Sequence, residues 1–258
     1  MSAYNNISDD IAIPGMIAEG IQGHKNIRSR VAQGTIQFGD PAMGYVGDDV
    51  NCYPFALDVA KIVFDADFEA SNSCVITVDG DAWDAVVYAT SHDNTMDLLI
   101  AEGTAQGYEV ALDATDTDNR TIYIKKSTVG SAVGTVTEAV TGGSGQPDGT
   151  ITYQTDQVFL GCAVYIAKDV VSSNTATYSQ YDEVCVGERG IYWMYSTGTI
   201  SADDDVYLST AGLITATAGL TIACKSRSDN VTTTTNSDAI TKVEVNGIYK
   251  PYSDIAWV

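Results

Sequence analysis

Residues 181–195, "YDEVCVGERGIYWMY", place a thiol, a Glu-Arg pair and a run of aromatic rings close together in the sequence. A cysteine is a nucleophile only where a neighbouring base or cation lowers the pKa of its thiol. Cys185 stands between two valines, and the nearest cation in the sequence is Arg189. The pattern therefore favours a buried, unreactive thiol and predicts a β hairpin whose polar turn is "GERG".

The aromatic part of this segment predicts a strand with two unlike faces. Alternation sends Ile191, Trp193 and Tyr195 to one face, and Tyr192 and Met194 to the other. One face packs in the core and the other is available to a partner, so Tyr192 and Trp193 are the candidate interface aromatics. Packing of Trp193 in the core is the alternative that the sequence leaves open.

The sequence does not single out a catalytic site. The chain has two histidines, His24 and His92, and no GxSxG motif of the kind that carries a serine nucleophile. We interpret His92 as a polar residue in the first turn of a helix. We predict no catalytic residue and expect that the chain is not an enzyme. An acidic glycosidase stays open as an alternative, because the 34 acidic residues offer many carboxylate pairs.

Aspartates and cysteines are the candidate metal ligands. The stretches 116–118 and 203–205 offer the oxygen ligands that calcium prefers, but neither follows the calcium-loop pattern, and aspartates are common in turns. The five cysteines are widely spaced without a CxxC pair, which predicts reduced, mostly buried thiols. We therefore expect no metal and no cofactor. The cysteines are Cys52, Cys74, Cys162, Cys185 and Cys224.

The charge balance argues against one class of partner. With 34 acidic and 13 basic residues the chain carries a formal charge of −21, which repels phosphate backbones and disfavours nucleic acid. No apolar run is long enough to span a membrane, and we see no secretory signal. Lys25, Arg28 and Arg30 are concentrated in "HKNIRSRV". This cluster suggests contact with an acidic partner surface, and a solvated loop is the alternative.

Short β-rich stretches separated by turns predict a mainly β chain. Residues 66–127 are typical of a compact β-β-α-β-β module, in which "CVITVDG" and "AWDAVVYA" form a hairpin before the helix and "YEVALDAT" and "RTIYIKK" form a second one after it. Its helix has Thr90 or Ser91 as the N-cap and is expected to stop at Gly103.

The domain organisation follows from these patterns. We expect an arm and the first strands of a β sandwich in 1–64, and an inserted α+β module in 65–150. The remaining strands of the sandwich then lie in 151–258. The end of the insertion, "STVGSAVGTVTEAVTGGSGQPDGT", is rich in Gly, Ser and Thr, which predicts a flexible connector.

The strand motifs are also similar to those of a known family. The sequence "VFLGCAVYIA…YSQYDEVCVGERGIYWMYSTGTISADDDVYLST" resembles the C-terminal half of tailed-bacteriophage structural cement (capsid decoration) proteins. The sequence "IAIPGMIAEG…SRVAQGTIQFGDPAMG" is similar to their opening. The resemblance implies a jelly-roll-like β sandwich without catalysis, which binds the outer surface of the icosahedral capsid and staples neighbouring major capsid subunits. It further implies a homo-oligomer, with a dimer favoured over a trimer, in a virion assembled from protein made in the host bacterial cytoplasm.

The resemblance to this family assigns roles to the residues singled out above. Lys25, Arg28 and Arg30 become candidate contacts with the capsid. The alternative function is a virion-surface protein that binds a carbohydrate or a host receptor through a β sandwich, because exposed tryptophans stack on sugars and Trp83 is a candidate.

Overall fold

The structure is a computed structural model that describes residues 14–18, 26–164, 177–217, 219–232 and 239–246. These residues are mainly β, as the sequence predicts. They divide into two compact units. The first unit holds the described residues up to Phe55 and from Gln157 onward, and the second unit is Ala56–Asp156. No helix in these ranges is long and apolar enough to cross a membrane.

The described residues form short strands and one α-helix, named here in chain order. The strands before the second unit are β1 (Asn26–Ala32), β2 (Ile36–Gln37), β3 (Pro41–Gly44) and β4 (Asn51–Cys52). The second unit contains β5 (Val59–Phe64), β6 (Ser73–Val78), β7 (Asp81–Ala82), β8 (Val86–Val87), α1 (His92–Ala105), β9 (Tyr108–Leu112), β10 (Thr121–Lys126), β11 (Val136–Thr141) and β12 (Gly149–Gln154). The strands after it are β13 (Val158–Ala163), β14 (Thr177–Tyr178), β15 (Glu183–Tyr195), β16 (Asp205–Leu208), β17 (Ile214–Thr215), β18 (Leu220–Ser226), β19 (Val231–Thr232) and β20 (Ala239–Asn246).

Two four-stranded sheets build the second unit. One has the order β12-β5-β10-β9, and the other joins β11, β6 and β7, with β8 also paired to β6. Alternation places Ala60, Ile62 and Phe64 of β5 in the core, where Trp83 and Met96 belong to the same cluster. The predicted pairings of β6 with β7 and of β9 with β10 are confirmed.

The helix α1 begins where the sequence predicts but ends later. Ser91 is its N-cap, and the Ser91 hydroxyl accepts a hydrogen bond from the backbone N–H of Asn94 at 3.2 Å. The predicted stop at Gly103 is wrong, because the helix continues past it and Gly107, with φ 89°, follows its end. A Cβ on Gly103 would lie 2.5 Å from the Trp83 ring. Close packing, and not termination, therefore requires this glycine.

The stretch predicted as a flexible connector contains a strand. β11 pairs antiparallel with β6, and β12 pairs antiparallel with β5. The prediction of a flexible connector is wrong for this part, because "VTEAVT" alternates as a strand does. Val136 and Val140 pack on the core, and the inward position between them is occupied by Glu138. A charged residue at an inward position hides the apolar period of the strand.

The strand β15 lies at the centre of the first unit. Ten strands join in a sheet with the path β17-β16-β18-β20-β15-β1-β4, to which β3, β13 and β19 are attached. The N-terminal half of β15 pairs with β1 and β13, and its C-terminal half pairs with β20. The segment 14–18 also hydrogen-bonds to this C-terminal half, since the N–H groups of Gly15 and Ala18 donate to the carbonyls of Trp193 and Ile191. Both halves of β15 thus have partners on two sides.

The predicted hairpin with its turn at "GERG" is wrong, because Glu183–Tyr195 is one strand. Its glycines make room for the ring of Tyr192. A Cβ on Gly187 would lie 2.4 Å from Cζ of this ring, and a Cβ on Gly190, where φ is 136°, would lie 3.0 Å from the hydroxyl oxygen. The Tyr192 hydroxyl donates a hydrogen bond to the carbonyl of Arg189 at 2.7 Å. The glycines that are typical of a turn in the sequence therefore make room for a buried aromatic ring.

A β-bulge interrupts the pairing of β15 with β1. Asn26 pairs with Arg189 and Ile27 pairs with Gly187, so Glu188 is the extra residue on β15. A bulge of this kind bends the strand and shifts its side-chain alternation.

The two halves of β15 send side chains of the same parity into different cores. Val184 and Val186 belong to one cluster of buried residues, whereas Tyr192 and Met194 belong to another. A regular strand would keep these four even-numbered residues on one face. The bulge at Glu188, between the two pairs of residues, therefore lets one strand contribute side chains to two cores.

Replacing Gly187 with alanine tests the fit of the Tyr192 ring. We expect the free energy of unfolding to fall by about 1–3 kcal/mol, because the new Cβ overlaps the ring. Urea unfolding followed by circular dichroism measures the change. Gly145→Ala is the control, since a Cβ there meets its nearest atom at 3.5 Å, and its effect should stay within about 0.5 kcal/mol. Equal losses in both variants would contradict this account.

Candidate functional site

The candidate interface aromatics are buried. Tyr192 is 0% exposed and Trp193 is 4% exposed. The alternation predicted for this stretch is present, since Trp193 lies opposite Lys242 of β20 with the ammonium 5.1 Å from the ring centroid, while Tyr192 packs in a core cluster. Neither ring offers a surface to a partner in this fold. Trp83, the candidate for sugar stacking, is also buried and lies beside Tyr108.

The thiols are free and poorly suited to nucleophilic chemistry. Cys52, Cys74, Cys162 and Cys224 are buried, and Cys185 is partly buried. Burial raises the pKa of Cys185 against a lowering hydrogen bond with Ser29. Burial likewise raises the pKa of Cys52, Cys74 and Cys224 to about 12. A thiol with a raised pKa carries little thiolate at neutral pH, which agrees with the sequence interpretation.

The aspartate-rich stretches lie in or beside turns. Asp116 accepts backbone N–H groups from Asp118 and Arg120. In 203–205, Asp203 forms an ion pair with Arg227, and Asp205 pairs with Lys225. Across the ranges that the structure describes, no group of three or more His, Cys, Asp or Glu residues is placed to hold a metal ion.

Three carboxylates of the second unit, those of Asp65, Glu138 and Asp148, influence one another near the start of β12. The backbone N–H of Gly149 donates to Glu138 Oε1 at 2.9 Å, and that of Asp148 donates to Asp65 Oδ1 at 2.8 Å. Burial raises the pKa of Glu138, the Gly149 hydrogen bond opposes this, and the charges of Asp148 and Asp65 add to the rise. Both hydrogen bonds hold the backbone at the start of β12, so the carboxylates of Asp65 and Glu138 have a structural role.

The described histidine also links loops. His92 Nδ1 accepts the backbone N–H of Phe68 at 3.0 Å, and Nε2 lies 3.1 Å from the carbonyl of Asn119. The ring therefore carries its proton on Nε2 and donates it to Asn119. His24 lies outside the described residues. The ring of His92 is thus fully used between two loops.

The basic cluster divides into surface and interior residues. Lys25 lies outside the described residues. The Arg28 side chain is 55% exposed, whereas that of Arg30 is 1% exposed, so a direct contact of Arg30 with a partner is ruled out in this fold. Both guanidinium groups approach one buried carboxylate, Glu188, at 3.3 Å and 3.4 Å. Asn26 also donates to Glu188, at 2.8 Å.

Arg30 connects this buried carboxylate to a surface loop. Its Nη1 donates to the carbonyl of Asp48 at 3.1 Å. Within the loop, Asp48 Oδ1 accepts the backbone N–H groups of Val50 and Asn51. Although burial acts to raise the pKa of Asp48, these hydrogen bonds hold it below the ordinary value. The loop presents exposed Val46 and Val50 from a fixed backbone.

The comparison with protein families decides the class of the molecule. A sequence model of the family described as Structural cement protein (E217 gp24/Pam3 gp6) matches residues 100–246, more than half of the chain. The chain belongs to this family. No curated protein and no solved structure matches it.

Family membership gives the cement protein a structural role in a bacteriophage capsid and an association with capsid proteins. The matched range starts within α1 and ends with β20, so it includes residues of both units and the whole of β15. The resemblance seen in the sequence is thereby confirmed at the level of the family.

The sequence interpretation missed the role of Glu188 in the cement protein. It placed this residue in a polar turn, but the side chain is 5% exposed, accepts hydrogen bonds from Asn26 and Arg30 of β1, and forms an ion pair with Arg28. A signal was present: Asn26, Arg28 and Arg30 alternate along one strand, which puts three donors on one face. Such a row predicts a carboxylate partner, although the sequence does not say which one.

Removing the buried charge of Glu188 tests its place in the cement protein. We expect Glu188→Gln to lower the free energy of unfolding by about 3–5 kcal/mol, because buried Arg30 is left without its counter-charge. Arg28→Ser is the control, since exposed Arg28 pairs with the same carboxylate and should cost less than about 1 kcal/mol. Urea unfolding measures both. A Glu188→Gln loss as small as that of Arg28→Ser would show that the pair contributes little.

Asp40, in the turn between β2 and β3, gives the cement protein a pH dependence. Burial raises its pKa from 3.8 to about 6, against the lowering hydrogen bond from the backbone N–H of Gln37. The folded chain therefore favours the protonated acid, and this contribution to stability is lost as the pH rises from 3.8 through about 6.

Asp40→Asn should remove this pH dependence. The amide oxygen of asparagine can still accept from Gln37 N–H, but no buried charge forms. We expect a gain of about 1–2 kcal/mol at pH 7, after allowance for partial exposure, and no gain below pH 3.8. Melting temperatures of both proteins across this pH range measure the difference. A gain that is the same at every pH would point to a cause other than titration.

Proposed function

We propose that this cement protein binds the outer surface of the icosahedral capsid and staples neighbouring major capsid subunits without catalysing a reaction. The match to the structural cement family over residues 100–246 is the observation that carries the proposal. The proposal includes a homo-oligomer, with a dimer favoured over a trimer, and a jelly-roll-like arrangement of the first unit with the second unit inserted.

The charge of the chain supports a place on the outside of the capsid. A formal charge of −21 repels packaged nucleic acid and keeps unbound copies apart before they assemble. Screening limits this repulsion to roughly 8–10 Å at physiological salt, so neighbouring copies can still sit close together on a shell. Two linked contacts per oligomer raise the local concentration for the second contact once the first has formed.

The side chains favour this function over the two alternatives. Trp83 and Trp193 are buried, so neither described tryptophan presents a face to a sugar ring. The carboxylates of Asp65 and Glu138 accept hydrogen bonds from the backbone N–H groups of Asp148 and Gly149. A structural role needs neither a cleft nor a reactive group, and agrees with both observations.

Undecorated capsids of the same phage provide the direct test. The purified protein is mixed with the capsids and sedimented, and the capsids are then heated while release of their DNA is recorded. We expect saturable co-sedimentation and release at a higher temperature. Protein that remains entirely in the supernatant would refute the proposal, and binding without any change in release would refute the stapling part of it.

The surface role of the basic cluster has its own prediction. Arg28→Ser should weaken binding to capsids by about 3- to 10-fold at low salt and less at high salt, because an exposed charge attracts its partner through screened electrostatics. Lys225→Ser is the matched control: its side chain is 50% exposed, it pairs with Asp205, and its loss changes the net charge equally. Co-sedimentation at several salt concentrations measures both. Equal effects would show that only net charge matters.

A further inference from the structure

Tyr181, in the turn just before β15, has an unusual backbone conformation. Its φ is 72°, in the left-handed region that L-residues other than glycine, asparagine and aspartate rarely adopt. The other non-glycine residues with positive φ in the described ranges are short and polar, namely Ser71, Asp79, Asn119 and Asp203. A bulky aromatic residue in this conformation costs stability that a glycine or an asparagine would save.

The surrounding hydrogen bonds hold Tyr181 in this conformation. Its N–H donates to the carbonyl of Ala32 at 2.7 Å, and the N–H of Ala32 donates to the carbonyl of Asp182 at 2.9 Å. The Asp182 carboxylate accepts the N–H of Ser179 at 2.8 Å. The turn is therefore fixed to the C-terminal end of β1, and the strained residue is presented in one orientation.

The side chain of Tyr181 gains nothing visible from this arrangement within the chain. It is 72% exposed, the largest value among the exposed large hydrophobic residues that the structure describes. A strained backbone that displays an aromatic ring to solvent is not explained by folding. Aromatic rings of this kind are frequent anchors of protein interfaces, because they bury a large area with few rotatable bonds.

The neighbours of Tyr181 define what it can contact. Val50 is 63% exposed and lies on the other side of β1, since its carbonyl accepts the N–H of Val31. Acidic residues surround the two side chains: Asp49 precedes Val50, and Asp182 and Glu183 follow Tyr181, all three exposed. We call Tyr181, Val50, Asp49, Asp182 and Glu183 the docking patch. It offers two exposed apolar side chains and three exposed carboxylates that are their neighbours in the sequence.

We propose that the docking patch binds a surface of the capsid protein that combines lysine or arginine side chains with an apolar recess for the Tyr181 ring. This inference rests on the proposed function and adds the chemistry of the partner. Charge complementarity selects this occupant, because all three charged residues of the patch are acidic. A second copy of the chain, with a formal charge of −21, would oppose negative charge with negative charge.

Variants at Tyr181 separate binding from folding, because the melting temperature should rise while capsid binding weakens. Tyr181→Asn should raise the melting temperature by about 2–4 °C, because asparagine tolerates the left-handed conformation, and should weaken co-sedimentation with undecorated capsids at least about 10-fold. Tyr181→Gly serves as a second variant with the same expectations. Tyr181→Phe keeps both the ring and the strain, so its melting temperature and its binding should match those of the native protein.

Two further variants test the partner's chemistry and the specificity of the effect. The double variant Asp49→Asn, Glu183→Gln should bind capsids about 3- to 10-fold more weakly at low salt, with a smaller dependence on salt. Val129→Ser is the control for loss of an exposed apolar side chain in the second unit, where Val129 is 53% exposed, and should bind as the native protein does.

The outcomes distinguish this inference from the proposed function. If native protein binds capsids and Tyr181→Asn binds equally well, the docking patch is refuted and the cement function stands. If native protein does not bind, both fail. Tighter binding of the charge-neutralised double variant would overturn the cationic partner. A loss of self-association in Tyr181→Asn by analytical ultracentrifugation, with capsid binding intact, would assign the patch to a second copy and overturn the proposal.

Discussion

The first unit is organised around one buried carboxylate. Glu188 occupies the bulge in β15, and its side chain accepts hydrogen bonds from Asn26 and Arg30 of the neighbouring strand and forms an ion pair with Arg28. Desolvating a carboxylate is costly unless opposite charge and donors surround it, so the bulge and the row of donors on β1 depend on each other. Arg30 extends the same constraint to the loop of Asp48. A bent strand, its partner and a surface loop are thus fixed by one set of polar contacts.

This arrangement separates the residues that maintain the fold from those available for contact. The aromatic rings of β15 and the guanidinium group of Arg30 are used within the chain, whereas Arg28 on β1 remains exposed, as do Val50 and Tyr181 beside the C-terminal end of β1. Rigid elements that carry exposed residues suit a protein that must recognise a repeating surface, because little conformational entropy is lost on binding. The proposed basic and acidic contact regions therefore both lie on β1 and its neighbours.

The sequence predicted the elements with a clear local signature. The helix start at Ser91, the hairpins in the second unit and the buried thiols each follow from capping, turn or spacing rules. Its errors concern glycines whose role is set by an aromatic ring packed against them, and a charge whose partner lies elsewhere in the chain. Gly103 makes room for Trp83, and the glycines of "GERG" accommodate Tyr192, yet each is typical of a stop or a turn in local sequence. Glu188 was placed outside for the same reason, since burial of a charge depends on a partner far away in the chain.

The length of β15 has a mechanical consequence. Hydrogen bonds run along both of its halves, to β1, β13 and β20 and to the segment 14–18. A force directed along the strand would load these bonds together in shear, whereas a force directed across the sheet would open them one after another. The first unit is consequently anisotropic: stiff to tension parallel to β15 and weaker to peeling. The direction in which this single strand is pulled would then determine how much tension one copy bears before it yields.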